Sequence, residues 1–272
     1  LTKEETIKKR LSRARKSIAT QNIQFEFPAP SKVGDRLTRV MEVIYLTFNE
    51  GFHSNNKKQL IREDLCGEAI RLCKLLMKKE QFRSGSLYAL FALLCFHAAR
   101  LTSKTNAAGE IVDLKNQDRS MWHWPLIAIG NDAMNKATGY DERTVFHYEA
   151  AIAGEHVKAH SFADTNWQQI IKWYDAIDQL QPTPSTQLNR ALVYLQLSEF
   201  DVALKLLKAL DPNSLGQRRY LYDGCFAEYY IQINDLKSAL NSLTESIQSV
   251  TNELEKQYLI NKKNDIQKLM ED

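Results

Sequence analysis

Seven of the first eighteen residues are Lys or Arg, and in a helix their spacing keeps them off one apolar stripe. Lys3, Lys8, Lys9, Arg10, Arg13, Arg15 and Lys16 face only Glu4 and Glu5, a local charge of +5 in a chain whose net charge is +3. The other 252 residues therefore sum to −2, so a phosphate-facing role is expected only at the start. Ile7, Leu11, Ala14 and Ile18 follow one another at spacings of four, three and four, which lines them along one side of a helix. A helix that enters the major groove needs such a stripe to dock on its own domain and cations flanking the groove. Thr6, Lys8, Lys9, Ser12 and Arg13 lie off the stripe and are expected to face DNA, with Arg10, Arg15 and Lys16 reaching phosphates.

Other chemistry-bearing residues are sparser. His156 and His160 in "HVKAH" are one turn apart if helical, a spacing that can hold zinc. The Glu of an H-E-x-x-H protease motif is missing and no third ligand suggests itself, so no metal is assigned. His97 with Arg100 in "FHAAR", and Asp118 with Arg119 in "NQDRS", are expected to form a salt-bridged or capped polar network that ties helices to a loop. A hydrolytic site would instead need His97, Asp118 and His156 to converge. Asn49-Glu50-Gly51 is expected to end a helix with Gly51 left-handed, and Asn49 or Glu50 is a candidate partner contact. Trp122, Trp124, Trp167 and Trp173 have no Lys or Arg row between them, and are expected in packing rather than base stacking. No Gly-rich phosphate loop and no Ser/His/Asp or Cys/His spacing is present, so neither a catalytic residue nor a cofactor is assigned.

The elements that must position these groups are helical. Ten Gly and six Pro in 272 residues are few, and 44% apolar content is ample for a core. Four cysteines, Cys66, Cys73, Cys95 and Cys225, lack metal-like spacing. Cys66 and Cys73 are about 10 Å apart along a predicted helix, too far for a disulfide, so buried reduced thiols of a cytoplasmic protein are expected. No apolar run approaches the ~18 residues that span a bilayer. The chain does not open with Met and is expected to be a piece of a longer protein.

"QFEFPAPSKVG" reads as a linker over 21–34, because Pro28, Pro30 and Gly34 disfavour a continuing helix. Helices are expected from Asp35 to the break at Gly51, then over 58–79, 85–101, 124–138 and 143–160. Another runs from Trp167 to before Pro182. The third, 85–101, shows an apolar face of Leu87, Leu90, Phe91, Leu94, Ala98 and Leu101. "KTNAAGEIVDL" is expected as a small hairpin or irregular loop. In the last third, "LNRALVYLQLSEFDVALKLL" and "GCFAEYYIQINDLKSALNSL" superimpose at an offset of 36. Ala191 pairs with Ala227, Tyr194 with Tyr230, Ala203 with Ala239 and Leu207 with Leu243, the tetratricopeptide pattern of stacked helix pairs. Lys256–Lys268 is polar on most faces, as a capping helix is. Four segments result: a basic helix at 1–20, a linker at 21–34, an all-α domain at 35–160, and tetratricopeptide-like repeats with a cap at 161–272.

"ETIKKRLSRARKSI" resembles the recognition helix of region 4 in bacterial sigma factors, with its Thr-Val-Lys-x-Arg-Leu-x-Arg-Ala-Arg string. Thr6, Ile7, Lys8, Arg10, Leu11, Arg13, Ala14 and Arg15 fit, with Ile7 in place of the commoner Val. The remainder resembles the tetratricopeptide-bearing C-terminal extension of one group of extracytoplasmic-function (ECF) sigma factors. The strings that carry this are "YLTFNEGF", "DLCGEAIRL", "NQDRSMW", "AAIAGEH", "DTNW" and "LNRALV". The resemblance implies a role in transcription initiation, with promoter DNA at the basic helix. It implies RNA polymerase core, sigma regions 2 and 4, or a regulator as protein partners of the extension, and no membrane. The first helix of the helix-turn-helix and the whole of region 2 are absent here, so this stretch alone is not expected to initiate transcription. The alternative from the residues themselves is a free-standing helical-repeat scaffold that binds protein.

Overall fold

The computed structural model describes residues 4–21, 33–54 and 59–271, and among these the protein is all-α. The helices are α1 (Glu4–Thr20), α2 (Val33–Phe52), α3 (Glu63–Met77), α4 (Gly85–Ala98), α5 (Trp124–Thr138) and α6 (Val145–Lys158). They continue as α7 (Trp167–Leu180), α8 (Pro184–Gln196), α9 (Phe200–Ala209), α10 (Tyr220–Gln232), α11 (Leu236–Ser249) and α12 (Glu253–Glu271). Two compact units result, residues 1–39 and 40–272. No helix among the described residues is long and apolar enough to cross a membrane. Most of the expected linker, residues 22–32, lies outside the described residues. Gly34, expected in the linker, is already helical, since α2 begins at Val33.

Within the second unit α4 is the central rod. Its residues from Leu87 to Phe96 are buried apart from the half-buried Tyr88, so a helix expected to hide one face is covered nearly all round by α3, α5 and α6. Ser84 caps it, accepting from the Leu87 N–H at 3.1 Å. Gly130 of α5 admits the Phe96 ring, because a Cβ there would stand 2.6 Å from a ring carbon.

Gly51 corrects the expected end of α2. The helix runs on to Phe52, and the described glycines with positive φ are Gly109 and Gly216. A Cβ at Gly51 would lie 2.8 Å from both the Arg62 carbonyl oxygen and Cys66 Sγ. The small residue is needed because the start of α3 passes against it, and Arg62 N–H donates to the Gly51 carbonyl at 2.7 Å. All four cysteines are free and buried. Burial pushes the Cys66 thiol up to about 11 and Cys73, Cys95 and Cys225 to about 12, which leaves them unreactive at neutral pH.

The 36-residue repeat is exact in the backbone as well. Ser198 and Asn234, 36 apart, are the described non-glycine residues with positive φ (59° and 60°). The next amide in each turn reaches back to the paired tyrosine carbonyl, Glu199 to Tyr194 and Asp235 to Tyr230, both at 2.9 Å. Ala191, Ala203, Ala227 and Ala239 are fully buried at the crossings, with Leu207 and Leu243 beside them. Packing is continuous across residue 160, where two segments were expected to divide: Ile152 shares a core with Ile170, Ile171, Ile177 and Val193. The possible hairpin is a loop with one antiparallel bridge, Thr105 to Ile111.

Candidate functional site

The expected DNA-facing residues all lie on α1. Thr6, Lys8, Lys9, Arg10, Ser12, Arg13 and Lys16 are exposed, as is every other described side chain from Glu5 to Thr20. The apolar stripe is exposed with them: Ile7 is 42%, Leu11 53% and Ile18 44% accessible. An amphipathic helix in this condition has an unburied docking face.

A second group of cations occupies the interior of the larger unit. Phe52, the last residue of α2, is buried, and four nitrogen-bearing side chains surround its ring. The Lys104 ammonium stands 3.6 Å and the Arg100 guanidinium carbon 5.1 Å from the ring centroid. The His53 and His97 rings lie at 4.7 Å and 4.9 Å, centroid to centroid. Lys104 also donates to the Phe52 carbonyl, and Arg100 Nη2 meets His97 Nδ1 at 3.3 Å.

Local structure explains this gathering. His97 lies in the last turn of α4, Arg100 is the N-cap of the following 3-10 turn and Lys104 closes it, so the three follow a helical i, i+3, i+7 path. The turn is fixed by Ser103, which donates to the Arg100 carbonyl at 2.9 Å and accepts from the buried Trp122 indole at 2.9 Å. The loop beyond is tied back where Val112 N–H donates to the Lys104 carbonyl at 2.8 Å.

Electrostatics here are dominated by desolvation. Burial, then the Arg100 charge, holds Lys104 down at about 7. Burial, then Arg119, lowers Arg100 to about 10. His53 and His97 lie well below the ordinary imidazole value, again chiefly by burial, although the His53 ring reaches solvent. None of the ion pairs among the described residues involves Arg100, Lys104 or Arg119. Elsewhere the same unit neutralises its half-buried cations: Arg190 reaches Asp175 at 2.7 Å and Asp178 at 2.8 Å, and Lys262 reaches Glu228 at 2.7 Å.

Several expected associations dissolve. Asp118 is exposed and caps its own turn, accepting from Ser120 N–H at 2.9 Å and its hydroxyl at 2.7 Å, so it joins neither His97 nor His156. Arg119 is held at the end of α6 by the His156 and Ala159 carbonyls, at 2.5 Å and 2.8 Å, and stacks over Trp122. His97 and Arg100 do meet, but without the carboxylate a salt bridge requires. His156 packs edge-on against Trp167, whereas His160 lies past the end of α6, so their spacing is not one helical turn. Asn49 hydrogen-bonds Tyr45, whose hydroxyl donates to Glu149 at 3.1 Å, and Glu50 accepts from Ser54 at 3.2 Å. Trp124, expected in packing, is 56% exposed on the rim of a cleft of 490 Å³ lined also by Phe96, Met134 and Trp173.

Residues 36–138 match the model of DUF6596, a family of unknown function. An uncharacterized protein of Rhizobium meliloti (strain 1021) is 31% identical over 259 residues, covering 95% of this chain and 60% of that protein. The chain thus spans about three fifths of the length of the relative it matches. No solved structure matches. The matched family region holds the Phe52 cluster from His53 to Lys104, which sequence reading found only at His97 and Arg100.

Proposed function

We propose that this chain is the C-terminal portion of an ECF-type sigma factor, in which α1 is the promoter-reading helix of region 4. The helical unit that follows is then a control element acting through protein contacts. The observation that carries this reading is the state of α1, a cationic helix whose Ile7/Leu11/Ile18 stripe lies open where a helix-turn-helix would bury it. The family match is compatible with such an extension, and the greater length of the Rhizobium relative leaves room for further regions. The repeat pairs α8–α9 and α10–α11 support a protein-gripping role, with polymerase core, sigma regions 2 and 4, or a regulator as partner, in the cytoplasm.

The test uses the longer protein that contains this chain. Lys9→Ala with Arg13→Ala should abolish transcription from promoters that depend on a −35 element, while polymerase capture in a pull-down is unchanged. Normal transcription by the double variant sinks the assignment of α1. The isolated chain should bind DNA weakly, with affinity collapsing as salt rises, because phosphate contacts dominate when half the motif is missing.

A further inference from the structure

We infer that the cationic cluster around Phe52 is a binding site for a phosphate group, presented by a free phosphate or a small phosphate monoester. The inference is independent of the reading of α1.

Geometry carries it. Arg100 offers a planar fork of N–H donors, Lys104 an ammonium, and His53 and His97 ring nitrogens, all set around one aromatic ring. The protein supplies π-electrons and one backbone carbonyl to this group but no carboxylate within ion-pair distance. Glu255 attracts Lys104 only at longer range and is engaged by the Tyr220 hydroxyl at 2.7 Å. The contrast with Arg190, clamped by two aspartates, marks the cluster as an exception to how this fold treats its cations.

Two further features point to a ligand. Within electrostatic range of Arg100, His156 Nδ1 and Arg119 Nη2 are buried without a hydrogen-bond partner. Buried donors and acceptors left in this state are uncommon in native proteins. From the C-terminal repeats, Arg218 adds its charge to the field at His53 and Lys104. The Arg100 fork, with Lys104 beside it and Arg218 adding to the field, suits a dianion better than a monoanion, because the fork matches phosphate oxygens two at a time. His53 is the exposed member of the cluster.

Binding should also leave a proton signature. Lys104 is poised near neutrality by burial, and an adjacent dianion restores its charge. At pH 7.5 phosphate binding should therefore draw a proton from the buffer.

The experiment is isothermal titration of the whole chain in buffers of different ionisation enthalpy, at matched ionic strength, with inorganic phosphate, adenosine 5′-monophosphate, acetate and chloride. Saturable one-to-one phosphate binding with proton uptake is expected. Arg100→Gln and Lys104→Gln should each weaken it about tenfold or more. His53→Gln, the variant at the exposed member of the cluster, should weaken it several-fold and decides the matter if either buried variant fails to fold. Tighter binding of the nucleotide than of inorganic phosphate identifies a monoester ligand, and the reverse order a free phosphate. Heats equal to those of chloride, acetate binding as well as phosphate, or binding unchanged in His53→Gln and whichever buried variants fold would overturn the site.

Discussion

Lysines and arginines on α1 are exposed together with the helix's apolar stripe, whereas those around Phe52 are packed against an aromatic ring with their charge disfavoured. On α1 the charges cost the fold little because solvent screens them. Around Phe52 the same residue types carry a desolvation penalty that no carboxylate offsets. The first arrangement suits reading a large polyanion from outside. The second suits holding a small anion from within.

The largest effect that tests this contrast comes from Lys104. Lys104→Met should stabilise the chain by about 1–4 kcal/mol in urea unfolding near pH 7. The folded amine titrates at about 7 and the unfolded one at 10.5, so between those values the unfolded state holds the extra proton. Wild-type stability should therefore rise with pH across that window, and the variant should not show this rise. Lys9→Met, on the exposed helix, should stay within about 0.5 kcal/mol of wild type. A loss of stability in Lys104→Met would place the Phe52 cluster among ordinary structural contacts.

Next is the paired cation. Arg190→Ala, which strands Asp175 and Asp178, should lower stability by about 2 kcal/mol, opposite in sign to Lys104→Met. Last comes acid. His156, held at about 3 by burial and then by Arg100 and Arg119, stays neutral in the fold while the unfolded state gains a proton below its ordinary value of 6.5. Stability should fall by about 1–2 kcal/mol between pH 7 and pH 5 on its account. Glu149, raised to about 7 by burial, opposes this, since its folded state gains a proton first as pH drops from 7 toward 4.5. His156→Gln should make the acid limb of a melting-temperature profile shallower, the remaining slope being the balance of His53 and His97, which act in the same sense, against Glu149.

These two cationic regions also differ in how far a sequence discloses them. The basic helix is legible because its charge excess and its apolar stripe are both local. The 36-residue repeat was legible for a similar reason: the buried alanines recur on a fixed spacing, and even the left-handed turn at Ser198 and Asn234 keeps to it. The Phe52 cluster joins residues 52–53 to residues 97–104, with His156 and Arg218 acting on it from farther along the chain, and only packing makes them neighbours. The i, i+3, i+7 run of His97, Arg100 and Lys104 is the local signal, and spacing alone does not place it beside Phe52. Gly51 misled because a glycine near a helix end is usually a stop. Here its reason lies in α3, which no local pattern reports.

Tyr258 of α12 donates to Asp113 at 2.9 Å, joining the final helix to a loop 145 residues upstream. An open solenoid frays from its last repeat, since each repeat leans only on its neighbour. Here the tail is latched, so the terminal repeats share in the cooperativity of the whole unit instead of peeling away first. An unfolding force applied at the C-terminus would meet resistance from residues laid down before the repeats begin.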